Sequence, residues 1–115
     1  MKYFDWNQIP REQLNEKLSR RFVSGQKITI AQIFLKKGCV VPEHNHESEQ
    51  FCFVMTGSLK FIFPGEEKIV SSDQLIDIPS NVRHRVEALE DTLAYDIFSP
   101  VRQDWLEGDD AYLRK

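Results

Sequence analysis

Short runs of apolar residues, several alternating with polar ones, recur along the chain and predict β-strands. Each run is rich in Ile, Val or Phe, and turn-forming Gly, Pro and Asp residues separate one run from the next. This regular spacing of short strands is typical of a β-sandwich or barrel, so the fold class is predicted to be all-β. The predicted strands cover residues 27–35, 50–56, 58–63, 75–78, 83–89 and 93–98.

One segment near the N-terminus permits two interpretations. Within residues 10–22, Leu14, Leu18 and Phe22 stand at helical spacing, which favours a short amphipathic helix. The same segment also fits a loop that leads into a strand at residues 20–23. The pattern alone does not separate the helix from the loop.

The length of the chain sets the domain organisation. A chain of 115 residues is long enough for one hydrophobic core and too short for two. We therefore expect a single domain over residues 1–115, with a barrel core at about 20–100, an N-terminal extension at 1–19 and a C-terminal tail at 101–115. The polar tail is expected to hold little regular structure beyond a turn near Trp105.

Composition and charge exclude some classes of partner. The net charge of −3 and the scattered basic residues, which form pairs such as Arg20 and Arg21, argue against a nucleic-acid partner. No apolar run approaches the ~20 residues of a membrane span, and residues 1–5 carry no signal-peptide core, so we expect a cytoplasmic protein without a membrane partner. In a reducing compartment Cys39 and Cys52 are expected to be free thiols.

All three histidines of the chain fall in two short blocks. The first block contains His44-x-His46-x3-Gln50, and the second ends at His84. Residues two apart on an extended strand point to the same face, so His44 and His46 present two imidazoles side by side. A single histidine near a turn is more often solvated or hydrogen-bonded, but the pair favours a metal site.

The third histidine is predicted to point inward. Charged and uncharged residues alternate over residues 83–89, which places His84 on the same face as Val86 and Ala88. An inward histidine is usually a satisfied core residue, but here two further imidazoles are available as co-ligands. One divalent metal ion is therefore predicted, and Zn, Ni, Mn and Fe all accept this donor set. Its predicted ligands are His44, His46, Gln50 and His84.

The two blocks resemble the two motifs of the cupin family over roughly residues 27–98. That resemblance implies a double-stranded β-helix, a jelly-roll-like β-barrel with one divalent metal in its mouth, usually assembled as a homodimer. Gln50 stands where the family usually has a glutamate, so the four ligands bring no negative charge and the metal keeps its full +2. The matching positions are Gly38, His44, His46, Gly57, Pro79 and His84.

Residues 46–50 and 96–106 are similar to the small cupins of pectin degradation, which open the ring of 4,5-unsaturated galacturonate. The resemblance implies an isomerase acting on an anionic sugar, with Asp96, Phe98 and Arg102 in its active site. Asp96 and Phe98 share one strand face, so both are expected to line the barrel. The structural alternatives are an Asp96 bonded to a backbone amide or to Arg102, a Phe98 that is only core, and a solvated Arg102.

Two other functions fit the same predicted metal site. One is a metal-dependent oxygenase, and the other is a non-catalytic cupin that binds a sugar or another effector. On the strand of Gln50, Cys52 shares its face, whereas Phe51, Phe53 and Met55 lie on the opposite face. These three residues either pack between two sheets, which is the commoner use of such a face, or form a dimer interface.

Overall fold

The computed structural model describes residues 1–115, and most of them lie in antiparallel strands. The all-β prediction is confirmed. Besides the strands there are one α-helical turn, α1 (Gln103–Leu106), and two short 3-10 turns at Trp6–Gln8 and Ala111–Arg114. The strands are β1 (Glu12–Asn15), β2 (Leu18–Ser24), β3 (Thr29–Leu35), β4 (Val40–His44), β5 (Glu49–Thr56), β6 (Ser58–Phe63), β7 (Glu66–Ser71), β8 (Gln74–Ile78), β9 (His84–Ala88) and β10 (Thr92–Ser99).

Two sheets face each other around one hydrophobic core. The larger sheet has the strand order β1-β2-β3-β10-β5-β8, and the smaller has the order β4-β9-β6-β7. Sequence neighbours such as β3 and β4 lie in different sheets, which is how the chain wraps into a barrel. Alternation fixes the inner face of each strand; on β9, His84, Val86 and Ala88 are buried as predicted.

The helix considered for residues 10–22 is wrong, because this segment forms the β1–β2 hairpin. Leu14 and Leu18 are both buried, one on each strand, with a tight turn between them. The side-chain oxygen of Asn15 accepts a hydrogen bond of 2.8 Å from the backbone N–H of Lys17 and stabilises that turn. The apparent helical spacing of Leu14 and Leu18 thus arose because both residues point inward from neighbouring strands. The strand expected at 20–23 is part of β2.

Two further strands escaped prediction because neither sequence alternates apolar with polar residues. β7 begins with Glu66, Glu67 and Lys68 and is exposed along most of its length, as an edge strand can be. β4 is also an edge strand and contains Pro42, which only an edge readily accepts. Neither sequence shows the clear apolar alternation of a half-buried strand.

The C-terminal residues pack against the barrel. The predicted turn near Trp105 is α1, and both Trp105 and Leu113 belong to the hydrophobic core. The side-chain amide of Asn15 donates to the carbonyl oxygen of Leu113 over 3.1 Å, which ties the C-terminal turn to the β1–β2 hairpin. None of the helical segments has the length and apolar character needed to cross a bilayer.

The aromatic residues opposite Gln50 lie on the outer surface of the larger sheet. Phe51 is 43% exposed and Met55 is 41% exposed, so the prediction that this face packs between the sheets is wrong. The inner face of β5 carries Gln50, Cys52 and Val54 instead. Both cysteines are buried and free, as expected.

The turn between β5 and β6 gives a test of the fold. Gly57 has a φ of +100°, and a Cβ there would lie 2.5 Å from the Asp91 carbonyl oxygen. Because that oxygen is backbone, Gly57→Ala should destabilise the protein by about 3 kcal/mol or more in urea unfolding. Gly65→Ala is the matched control, since Gly65 also has positive φ (+77°) but open space around it, and about 1 kcal/mol is expected. Equal losses would contradict this packing.

Candidate metal centre

The three histidines come together at the mouth of the barrel. His44 ends β4 and pairs in register with His84, the first residue of β9, while His46 follows in the loop after β4. The ring centres of His44 and His84 lie 4.2 Å apart, and His46 lies 5.1 Å from His84. Ligand nitrogens of all three lie within 4.8 Å of one another. His44 and His84 are on strands and His46 is not, so the loop after β4, rather than strand geometry alone, directs His46 to the same point.

The orientation of each imidazole is fixed by the backbone. In every ring Nδ1 lies within hydrogen-bond distance of a carbonyl oxygen two residues away. A carbonyl oxygen can only accept, so Nδ1 carries the proton and Nε2 keeps its lone pair for another partner. The three contacts are His44 to Pro42 at 2.8 Å, His46 to Ser48 at 2.8 Å and His84 to Val82 at 2.9 Å.

Gln50 completes the group from the inner face of β5. Its Oε1 lies 3.1 Å from Nε2 of His46, so two acceptor atoms face each other across this distance. Such a contact is unfavourable by itself and becomes favourable when a cation binds both atoms. The side chain of Gln50 also lies beside the carboxyl of Asp96, where it opposes the rise in pKa that burial causes.

The histidines are neutral at ordinary pH. Burial is the largest cause, and it lowers the pKa of His44 to about 3 and that of His46 to about 4. Burial also lowers the pKa of His84. The positive charge of Arg102 acts in the same direction on all three. Neutral imidazoles are the form that binds a metal, so no proton has to be displaced near pH 7.

The residues present fit a divalent cation. Three imidazole nitrogens, which lie within 4.8 Å of one another, and one amide oxygen suit Zn, Ni, Mn or Fe. The structure thus brings together all four residues that the sequence predicts as ligands. The identity of the metal follows from neither the donor set nor the geometry.

Asp96 lies beside this group on β10, opposite Cys52 of β5. Its Oδ1 is buried and has no hydrogen-bond partner, and the residue lines the same cavity as Gln50. Burial raises the pKa of Asp96 to about 6, against the lowering effects of Cys52, Gln50 and Arg102. Arg102 forms its ion pair elsewhere, so the alternative of a structural Asp96–Arg102 pair is wrong.

Arg102 is only 2% exposed, so the interpretation as a solvated surface charge is also wrong. Its Nε and Nη2 donate to the carboxylate of Asp104 over 3.0 and 2.8 Å, and Nη2 donates to the Tyr112 hydroxyl over 2.6 Å. The guanidinium carbon lies 4.7 Å from the ring centre of Phe98. Phe98 is core and site at once, since its ring meets that of His46 edge-on at 5.6 Å.

Arg20, Trp105 and Tyr112 also line the cavity, and none of them was predicted as a site residue. The ring of Tyr112 lies 4.7 Å from that of His44 and covers it. The cavity is small, with a volume of about 60 Å³. The one signal in the sequence was the presence of aromatic residues in an otherwise polar C-terminal segment, where exposure of large rings is unfavourable.

Known proteins share this architecture and about a quarter of the aligned residues. The chain is 27% identical to the pectin degradation protein KdgF of Dickeya dadantii (strain 3937) over 108 residues, which cover 91% of this chain and 98% of that protein. The structure of KdgF from Halomonas sp. superposes with a TM-score of 0.83 at 24% identity, covering 90% of this chain and 99% of the other.

A second solved structure is equally similar in shape. An RmlC-like cupin from Shewanella frigidimarina NCIMB 400 superposes with a TM-score of 0.83 at 22% identity, covering 91% of this chain and 96% of the other. The Cupin domain family (Cupin_2) matches residues 32–98, which is more than half of the chain and includes all four candidate metal ligands. The chain therefore belongs to the cupin family.

Proposed function

We propose that the protein is a metal-dependent isomerase that opens the ring of 4,5-unsaturated galacturonate, a sugar released by pectate lyases. The observation that carries this proposal is the buried, unpaired carboxylate of Asp96 beside Gln50 and the three histidines. The likeness to a pectin degradation protein over nearly the whole of both chains supports the choice of substrate.

The reaction is an isomerisation in which ring opening moves one proton and the later enol-to-ketone step moves a second one, from the enol oxygen to C4. The hydroxyl on C1 loses its proton, the bond between C1 and the ring oxygen breaks, and the ring oxygen gains a proton. The products are an aldehyde at C1 and an enol at C5, and the enol then relaxes to the ketone. Atoms and electrons balance, so no redox cofactor is needed.

Asp96 suits the proton transfer. A group with a pKa of about 6 exists in both protonation states near neutral pH, which allows it to accept a proton and to return it. Oδ1 is free for this role because no protein group donates to it. A divalent metal held by His44, His46, Gln50 and His84 would supply Lewis acidity toward the sugar oxygens.

Arg102 suits the carboxylate of the sugar. Asp104 holds the guanidinium through both Nε and Nη2, so its position is fixed while Nη1 makes no hydrogen bond in the protein. A preorganised guanidinium pairs well with a carboxylate. Phe98, packed against it, provides an apolar wall.

The C-terminal turn has to move for a sugar to bind. A volume of about 60 Å³ is well below the roughly 300 Å³ at the lower end of small-molecule sites. Tyr112 and Leu113 form one wall of the cavity, and Tyr112 lies on His44. We therefore infer that Ala111–Arg114 swings away when substrate enters.

A second copy of the chain is proposed to cover the outer face of the larger sheet. Ile30, Ile97 and Phe51 form a row across β3, β10 and β5, and each is more than a third exposed. A continuous apolar row on central strands is unusual for a surface that meets only water.

The two free thiols fit the expected cytoplasmic location.

The first prediction concerns activity. Metal-loaded protein added to freshly lyase-generated unsaturated galacturonate should speed the loss of the ultraviolet absorbance of the C4=C5 bond. His44→Ala should abolish the acceleration, since it removes one metal ligand. A rate equal to the spontaneous one would contradict ring opening, and oxygen consumption with a uronate would favour the oxygenase instead.

The second prediction separates chemistry from metal binding. Asp96→Asn should leave the bound metal unchanged, because Asp96 is not among the ligands, and should lower kcat by about 100-fold or more. Metal content by mass spectrometry and turnover are measured on the same preparation. Unchanged turnover removes Asp96 from the mechanism.

The third prediction concerns stability of the metal-free protein. Burial raises the pKa of Asp96 from 3.8 to about 6, so the folded state holds the proton more tightly than the unfolded state. The stability that this group contributes is complete below pH 3.8 and is lost as the pH rises through about 6. Asp96→Asn should therefore stabilise the protein by up to about 3 kcal/mol at about pH 8 and hardly at all at about pH 4. Urea unfolding at both values checks the sign, and a constant difference would contradict it.

The fourth prediction concerns the dimer. Light scattering at micromolar concentration should give the mass of two chains. Ile97→Lys should give monomers, because it places a charge in the apolar row. Ile69→Lys is the matched control, since Ile69 is also an exposed isoleucine but lies on β7 of the other sheet. A monomeric wild-type protein would refute the interface.

A further inference from the structure

Three buried side-chain atoms have no hydrogen-bond partner in this protein: Oδ1 of Asp96, Nη1 of Arg20 and Nε1 of Trp105. All three residues line the same cavity. Buried polar groups are nearly always paired, and unpaired ones concentrated in one place call for a partner outside the chain. Asp96 is already assigned to proton transfer, which leaves two unpaired donors.

Arg20 is held rigidly in its place. It is only 1% exposed; its Nε donates to Glu12 over 2.9 Å, and its Nη2 donates to the buried carboxylate of Asp110. The same two carboxylates also bind Arg114, which lies at the surface. These contacts occupy two of the three guanidinium nitrogens and leave Nη1 with its hydrogens unused.

Trp105 lies against the guanidinium of Arg20. The guanidinium carbon of Arg20 is 4.2 Å from the indole ring centre, and that of Arg102 is 4.6 Å from it. Phe22 and Phe98 meet the indole edge-on at 5.3 and 5.2 Å, so the ring is clamped on several sides. Its Nε1 lies beside the Tyr112 hydroxyl without forming an aligned hydrogen bond.

We propose that Arg20 Nη1 and Trp105 Nε1 form a second subsite of the cavity that binds a hydroxyl oxygen of the substrate. Both groups are donors, so their partner is an acceptor oxygen. The identity of the sugar rests on the proposed function, whereas the subsite itself rests on the two unpaired donors.

Charge decides between a hydroxyl and a carboxylate at this subsite. Arg20 already contacts two carboxylates, whereas Arg102 contacts one. The guanidinium of Arg102 contacts Phe98 and Tyr112. The rings of these two residues lie against His46 and His44, so Arg102 is the arginine beside the metal ligands. The sugar carboxylate therefore belongs at Arg102, and a neutral hydroxyl belongs at Arg20 and Trp105. The site selects a hydroxylated acid over a simple one.

Nuclear magnetic resonance tests the subsite without any turnover. The chain has two tryptophans, so its nitrogen-15 spectrum has two indole N–H signals, and Trp105→Phe identifies which belongs to Trp105. Saturated D-galacturonate, added to zinc-loaded protein, should shift the Trp105 signal saturably. Trp6, which lies outside the cavity against Tyr95, should not respond. A spectrum that stays unchanged, or saturable shifts that spare Trp105, would overturn the proposal.

Kinetics with unsaturated galacturonate gives a second readout. Trp105→Phe should raise KM by about twofold to tenfold, the loss of one hydrogen bond, with a smaller change in kcat. Trp6→Phe is its control and should leave both unchanged. If wild-type protein shows no turnover, the proposed function fails; if it turns over normally and Trp105→Phe keeps the wild-type KM, only the subsite fails.

Arg20→Lys and Arg21→Lys form a matched pair, because the two arginines are neighbours on β2 and only Arg20 lines the cavity. Arg20→Lys should raise KM by about tenfold and Arg21→Lys should not. A purely structural role for Arg20 would change the melting temperature while leaving KM at the wild-type value, and that result contradicts the subsite. If Arg20→Lys does not fold, Trp105→Phe still decides.

Discussion

Each histidine of the site donates its Nδ1 proton to a backbone carbonyl, and the rest of the site depends on this one interaction. The hydrogen bonds leave every Nε2 without a proton and hold the three lone pairs toward a common point. Burial then keeps the rings neutral. The pairing of β4 with β9 places the rings of His44 and His84 side by side, and the loop after β4 adds that of His46.

Gln50 connects metal binding to chemistry. Its Oε1 faces His46 and its side chain also lies beside Asp96, so one residue stands between the metal ligands and the predicted catalytic carboxylate. A neutral amide at this position leaves the cation uncompensated. It also keeps Asp96 as the one carboxylate that lines the cavity, which is a physical reason for glutamine where cupins usually have glutamate.

The sequence was most informative where residues close together along the chain belong to the same site. Alternation placed His84 inward, and the His-x-His spacing placed His44 and His46 together. The prediction from sequence failed where a turn, or a contact outside the strand pattern, decides the structure. Leu14 and Leu18 imitated a helix because the hairpin turn was not recognised, and Arg102 is buried by Asp104 and Tyr112 of a segment that reads as a polar tail. Arg20 gave no local signal, because its contact with Asp110 spans most of the chain.

The most direct test of the central claim is a zinc titration followed by nitrogen-15 spectroscopy of the imidazoles. The chain has three histidines, so every ring can be followed. All three histidines should carry their proton on Nδ1 in the metal-free protein. On zinc addition, all three Nε2 signals should shift together and reach their end point at one zinc per chain. Protons found on Nε2, or rings that respond at different zinc ratios, would contradict a single site built from these residues.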